Sequence, residues 1–265
     1  MLKITNVTKT FNPGTITEKK ALLGIDLTLE DGDFVTVIGG NGAGKSTLLN
    51  LIAGVHSCDT GKIELNGINM TNMPEYRRAK YLGRVFQDPM LGTAANMEIE
   101  ENLAMAFRRG KTRSLAWGIK NSERNLYYEK LELLGLGLEK RMHSKVGLLS
   151  GGQRQALTLL MSTLQKPDLL LLDEHTAALD PKTASRVLEL TKKFIEEDHL
   201  TVFMVTHNMM HAIEYGNRLI MMMNGKIVYD VRGEEKKNLK VDDLLAKFGA
   251  AGEMNDRMML ESKAF

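Results

Sequence analysis

Gly39-Gly40-Asn41-Gly42-Ala43-Gly44-Lys45-Ser46-Thr47 brings backbone freedom, one ammonium group and two hydroxyls into a single short stretch. That set suits a polyanion. A glycine-rich loop can wrap its N–H groups around a phosphate, Lys45 neutralises charge on the β- and γ-phosphates, and the Ser46 hydroxyl is placed to ligate Mg²⁺. The chemistry requires a strand before the loop and a helix after it. Phe34–Ile38 is an apolar, β-branched run that follows Asp31-Gly32 and reads as a buried strand, and Ser46–Ile52 has the apolar spacing of a helix. A surface glycine turn, the alternative, requires neither.

A second candidate constellation lies at Leu169–Leu172, an apolar strand that ends in Asp173-Glu174. Ligands of open α/β sheets collect beyond the carboxyl ends of strands, where these acids lie. Neighbouring side chains alternate along a strand, so the two carboxylates take different work. Asp173 fits an Mg²⁺ partner, and Glu174 fits the general base that polarises an attacking water near the γ-phosphate. Read without the upstream loop, the pair is equally a helix N-terminus with two ordinary acids. A third stretch, Leu149-Ser150-Gly151-Gly152-Gln153-Arg154-Gln155, is either a plain helix cap or an anion site. The helix that it would open, Gln153–Leu164, presents its positive end and free N–H groups to a γ-phosphate.

Taken in order, these peptides resemble the ABC ATPases, and the likeness extends from Met1 to about Asp230. The resemblance implies further roles. Phe11, in Val7-Thr8-Lys9-Thr10-Phe11, is similar to the aromatic on which the family stacks adenine, a contact that tolerates any base. Gln87, in Val85-Phe86-Gln87-Asp88-Pro89, resembles the glutamine that reaches metal and water and links the nucleotide to a membrane partner. Ala177-Ala178-Leu179-Asp180 resembles the loop that crosses between two active sites, and His207 in Val205-Thr206-His207 the switch histidine at the γ-phosphate. The implied cofactors are ATP and Mg²⁺. Catalysis falls to Glu174, His207, Gln87 and Lys45, and the metal to Ser46, Gln87 and Asp173. Nucleotide contacts fall to Phe11, Gly39 through Thr47, Gln87, Ser150, Gly151, Gly152, Gln153, Asp180 and His207.

Two positions depart from the family pattern. His175 stands where proline usually follows the catalytic acid, and Ala178 where serine is common. Proline would stiffen that turn, so His175 either loosens it or adds a titratable neighbour, and it is read as structural.

The implied fold is α/β: a P-loop NTPase core of mostly parallel sheet flanked by helices, with an antiparallel β subdomain and an inserted α-helical subdomain. The cassette is expected over residues 1–232, with core and β subdomain at 1–88 and 166–232 and the helical subdomain at 89–165. Residues 233–265 form a C-terminal extension. The implied mechanism is an ATP sandwich between two copies of the chain, Lys45 and its loop from one facing Ser150–Gly152 of the other, beneath a membrane permease. Import of a small solute such as an amino acid is the favoured direction, with an extracytoplasmic solute-binding protein as a further partner. Export, or a cytosolic assembly scaffold such as that of iron–sulfur clusters, are the alternatives.

Composition sets outer limits. The 265 residues are 43% hydrophobic and 26% charged, as in globular proteins with a packed core. A net charge of +2 is too small to argue for nucleic acid. The single cysteine, Cys58, excludes an internal disulfide and fits a reducing compartment. With neither a bilayer-length apolar run nor a signal-peptide pattern, the chain is expected at the cytoplasmic face of the plasma membrane, held there by another chain.

The elements that must position these groups are legible in outline. Leu2–Val7 and Ile25–Leu29 alternate around an Asn12-Pro13-Gly14 turn, and Ile63-Glu64-Leu65 with Asn66-Gly67 predicts a hairpin. Ser122 is expected to cap a helix over Asn125–Leu134 that Gly135 ends. Strands are expected at Leu169–Leu172, Thr201–Val205 and Arg218–Met223, with a helix between whose apolar stripe is Ala184, Val187, Leu188, Phe194 and Ile195. Met221-Met222-Met223 reads as core filling. The basic run Arg108–Arg113, with Trp117 following, reads as a solvated loop or as a contact for headgroups or the permease, and Leu239–Ala251 as an amphipathic helix.

Overall fold

A computed structural model describes residues 1–111 and 118–250; Thr112, Arg113 and Trp117 of the basic run and the chain after 250 lie outside the described residues. In chain order the elements are β1 (Leu2–Phe11), β2 (Lys19–Leu29), β3 (Phe34–Gly39), α1 (Lys45–Ala53), β4 (Thr60–Leu65), β5 (Ile68–Asn69) and α2 (Glu75–Arg78). Then come β6 (Leu82–Val85), α3 (Ile99–Phe107), α4 (Asn121–Glu132), α5 (Gly151–Thr163), β7 (Leu169–Asp173) and α6 (Pro181–Asp198). The described chain closes with β8 (Val202–Val205), α7 (Met209–Glu214), β9 (Arg218–Met223), β10 (Lys226–Arg232), α8 (Glu234–Lys237) and α9 (Val241–Ala250). Two compact units result, one from Met1–Arg78 with the chain from Thr201 onward, the other from Ala79–Leu200.

The first unit carries two sheets. One is antiparallel, in the order β2-β1-β4-β5. Leu2 and Ile4 are buried on one face of β1, yet Val7, of opposite parity, is buried too. A register shift between Ile4 and Val7 resolves this, with Asn6 at φ 45° as the bulge residue that moves the alternation by one. The predicted hairpin is present: Leu65 pairs with Ile68 across Asn66 and Gly67, both at positive φ. The second sheet is centred on β3, parallel to β8 on one side and β9 on the other, with β10 antiparallel beyond β9. Val35, Thr36, Val37 and Ile38 are all buried, as expected for a parallel strand covered on both faces. Thr36 satisfies its hydroxyl by donating to Ala212 O at 2.8 Å, which ties β3 to α7.

Met221, Met222 and Met223 are buried in β9, as their composition suggested. Beside them, Leu244 and Phe248 of α9 join Ile38, Met209 and Ala212 in one apolar cluster. The extension therefore docks a helix through an i, i+4 pair.

In the second unit β6 and β7 pair in parallel, Leu82 with Leu169 through Val85 with Leu172. Alpha-helix α6 buries Val187, Leu188, Phe194 and Ile195, with Leu190 and Thr191 added to the predicted stripe. The expected Ser122 cap is not found. Helix α4 starts at Asn121 because the Glu123 carboxylate accepts from Lys120 N at 2.9 Å, which leaves Ser122 inside the first turn. Gly135, at φ 65°, donates to Glu132 O and ends the helix as predicted.

Candidate functional site: a phosphate-loop cavity and an acidic strand end

The phosphate loop leaves β3 at Gly39 and enters α1 at Lys45, the strand–loop–helix order that the residues demanded. Two glycines are fixed by close approach. A Cβ on Gly39 would lie 2.3 Å from Met222 O of β9, and one on Gly44, at φ 102°, would lie 2.7 Å from Ala21 O of β2. Backbone bonds complete the hold, from Gly225 N to Ala43 O at 3.1 Å and from Leu23 N to Gly225 O at 2.9 Å. Lys45 is 4% exposed, and its ammonium donates to Gly39 O at 2.8 Å and Gly40 O at 3.1 Å, so its charge sits within the loop. Ser46 is exposed on the first turn of α1, whose N–H groups provide the positive end of the helix dipole. At the far end, the buried Arg78 guanidinium donates to Leu51 O and Ile52 O and caps α1.

An open cavity of about 240 Å³ lies over this loop, lined by Phe11, Lys19, Ala21, Asn41, Gly42, Ala43, Gly44, Lys45, Ser46, Thr47 and His207. Phe11 and His207, separated by most of the chain, are thus brought to the same phosphate loop. Gly39 and Gly40 do not line it; their carbonyls receive Lys45. Phe11 is half-buried, with His56 edge-on at 5.3 Å and the Lys9 ammonium 5.6 Å from its ring, itself paired with Asp59 at 3.0 Å. Sequence reasoning missed Lys19, which belongs to no motif and reaches the cavity only through strand pairing.

The second unit, Ala79–Leu200, carries the remaining predicted residues. Asp173 ends β7 and pairs with Arg84 of β6 at 3.5 Å, while the Arg84 guanidinium lies 4.4 Å from the Phe86 ring. Glu174 takes φ 45°, a left-handed conformation uncommon for a residue with a Cβ. His175, 1% exposed, shares a hydrogen bond of 3.2 Å with the Thr191 hydroxyl of α6, which fits its reading as structural. The turn then closes from Ala177 N to Glu174 O, and Asp180 caps α6 by accepting from Thr183 N at 3.1 Å. Hydrogen bonding from the Thr183 side chain, and then from its N–H, holds the Asp180 carboxyl below its ordinary pKa.

Ser150 is the N-cap of α5 in a reciprocal box: Gln153 N donates to its Oγ at 3.3 Å and Ser150 N to Gln153 Oε1 at 3.1 Å. Gly152 is required by packing, since a Cβ there would meet Thr183 Cγ2 at 1.9 Å. Gln87 is exposed two residues beyond β6, and the fully buried Gln155 donates to the adjacent Phe86 O at 3.1 Å. Arg84 was not singled out in the sequence, and Gln155, though it closes the Leu149–Gln155 stretch, was given no role, because an arginine in a strand and a glutamine in a helix carry no signal without their partners.

Ser46, Gln87 and Asp173 offer hard oxygen donors, the donor chemistry that Mg²⁺ takes. Glu98, Glu100 and His143 also cluster, but Arg124 spans both oxygens of Glu100 at 3.0 and 3.2 Å and supplies the cation there.

Comparison with known proteins gives the same family as the motifs. Residues 22–177 match the ABC transporter family. The chain is 49% identical over 253 residues to the tyrosine transport ATP-binding protein of Clostridioides difficile (strain R20291), covering 94% of this chain and 98% of that one. It is 34% identical over 234 residues to the phosphonates import ATP-binding protein PhnC 1 of Ruegeria sp. (strain TM1040), covering 87% and 88%. Among solved structures, the dimeric post-hydrolysis state of the ATP-binding cassette MJ0796 bound to ADP and Pi superposes with a TM-score of 0.74 at 31% identity, covering 88% of this chain and 98% of that one. With the phosphate loop, the acidic strand end and the capped glycine pair all in place, the chain belongs to the ABC transporter family as an ATP-binding, ATP-hydrolysing subunit.

Proposed function

We propose that two copies of this chain close on ATP beneath a membrane permease and drive import of an amino acid, of which tyrosine is the first candidate. The nucleotide part rests on the one cavity that holds Phe11, the phosphate loop and His207. Import of an amino acid rests on the likeness to a tyrosine transport subunit along 98% of that protein. Within each copy Phe11 offers a ring platform to adenine, Lys45 and the α1 N-terminus hold the β- and γ-phosphates, and Ser46, Gln87 and Asp173 hold Mg²⁺. The ion, when bound, neutralises phosphate charge. Glu174 accepts a proton from the attacking water, and His207 and Gln87 fix the γ-phosphate end.

Across the pair, Ser150, Gly151, Gly152 and Gln153 present the α5 N-terminus to the other copy's γ-phosphate, and Asp180 lies on the crossing loop. The copies sit at the cytoplasmic face of the membrane, with an extracytoplasmic solute-binding protein delivering substrate and no role for nucleic acid. Among the described residues no helix is long and apolar enough to cross a membrane, so passage is assigned to the permease. The test is uptake in vesicles that contain this chain together with a co-purifying membrane permease. ATP-dependent accumulation of tyrosine is expected, lost with Lys45→Ala; accumulation only of a phosphonate, or movement outward, would overturn the assignment.

A further inference from the structure

Lys19 opens β2 directly opposite Phe11, its register partner across the β1–β2 ladder. The pairing passes from Lys9–Leu22 to Thr10–Lys20, so Ala21 is an extra residue in β2 at that point, and Lys19 and Ala21 line the nucleotide cavity whereas Lys20 does not. Ala21 is buried, and its carbonyl lies 2.7 Å from where a Cβ on Gly44 would sit, so β2 runs hard against the phosphate loop at that point. Lys19 lies on the same cavity wall. It lines the nucleotide cavity, and its Nζ lies 3.4 Å from the position of a Cβ on Gly42, at the outer crest of the loop. Among the described residues, no hydrogen bond or ion pair engages that ammonium. Lys45, by contrast, is bound to loop carbonyls at the base.

One cavity therefore presents two cations at two depths. The ring of Phe11 marks the base end of a bound nucleotide and Lys45 the far end of its phosphates. Lys19 is cross-strand neighbour to the first and lies beside the loop that leads to the second. We propose that Lys19 is a second phosphate-binding cation, holding the α-phosphate of an adenine nucleotide between the Phe11 platform and the loop. This rests on the reading of the cavity as the ATP site. A charged donor on a phosphate oxygen is among the stronger hydrogen bonds, but here it is solvent-exposed and screened, so its contribution is modest.

The experiment is nucleotide titration of the full-length chain with adenosine, AMP, ADP and ATP at two salt concentrations, for the parent, Lys19→Met, Lys19→Arg and Lys20→Met. Lys19→Met should weaken AMP, ADP and ATP alike by about three- to tenfold and leave adenosine unchanged. Its ATP affinity should also depend less on salt. Lys19→Arg should recover most of the loss, and Lys20→Met, outside the cavity lining, should bind as the parent does. Unchanged affinity for every phosphate-bearing ligand would overturn the proposal. So would a loss already present with adenosine, which places Lys19 at the base, or a loss confined to ATP, which places it at the γ-phosphate. If the parent itself fails to bind ATP, the reading of the cavity falls first and the proposal with it.

Discussion

Glu174 has two properties that can be separated by substitution: its carboxylate is the proposed base, and its backbone is left-handed at φ 45°. Glu174→Gln keeps shape and polarity but accepts no proton, so ATP should bind with parental affinity while turnover falls by about a hundredfold or more. Turnover at the parental rate would remove Glu174 from the chemistry. Glu174→Gly should also be inactive yet unfold at a higher temperature than Glu174→Ala, because the left-handed conformation disfavours a Cβ by about 1–2 kcal/mol and glycine is free of that term. At this scale the sequence was most legible where type and spacing alone carry the chemistry, as in Lys45-Ser46 or Asp173-Glu174. It was silent on Lys19, Arg84 and Gln155, whose partners are supplied by strand pairing and helix packing. The expectation that His175 loosens its turn looked only at the missing proline, whereas the ring is buried and anchored to Thr191, sixteen residues on.

Helix α5 illustrates how an element can serve packing and chemistry through the same atoms. Gly152 is absent of side chain for a steric reason visible within its own unit, since Thr183 of α6 occupies the space. Gly152→Ala should therefore destabilise the fold by about 1–3 kcal/mol through overpacking, and Gly152→Ala combined with Thr183→Ala should regain most of the loss in thermal unfolding. No recovery would mean that the glycine is fixed by something other than this contact. Helix α8 offers a pH test. Lys236, 2% exposed, donates to Tyr215 O and Gly216 O, and burial lowers its pKa from 10.5 to about 8. Between those values the unfolded chain binds the proton that the native chain has shed, so unfolding free energy should rise with pH from about 8 to 10.5 and the penalty be fullest below 8. The neutral amine still donates to both carbonyls. Measured against Lys236→Met over that range, the parent should gain relative stability; a pH-independent difference would show that Lys236 remains charged throughout. The boundaries of β3, β7, β8 and β9 were read to within about a residue, but β2 begins at Lys19 and not Ile25, α4 begins at Asn121 and not Asn125, and Asn224-Gly225 was overlooked although both residues take positive φ and join β9 to β10 by the same two-residue turn as Asn66-Gly67. Bulged β1 outran its predicted end because alternation changes parity at Asn6.

For the whole molecule, the claim with most consequence is that a site is shared between two copies. A complementation test needs one lesion in the phosphate loop and one in the α5 glycines, each leaving the fold intact. Lys45→Ala supplies the first. Gly152→Asp would confound the second, because any Cβ there strikes Thr183, whereas a Cβ on Gly151 meets nothing closer than Leu179 Cδ2 at 3.7 Å. Gly151→Asp also places its carboxylate in the first turn of α5, where the helix dipole favours negative charge, so folding should survive while a γ-phosphate would face like charge in a desolvated site. Each homodimer then has two defective sites. A mixed dimer concentrates both lesions in one site and leaves the other whole, combining the intact loop of the Gly151→Asp copy with the intact α5 N-terminus of the Lys45→Ala copy. With Glu174→Gln in both chains to block turnover, differently tagged variants should co-elute as an ATP-dependent dimer only when mixed. Hydrolysis is the poorer readout, since the two sites can be coupled and a single whole site need not turn over. If mixing yields no more dimer than either variant alone, ATP is not held between copies, and the closure mechanism proposed for import fails even though each chain still binds the nucleotide.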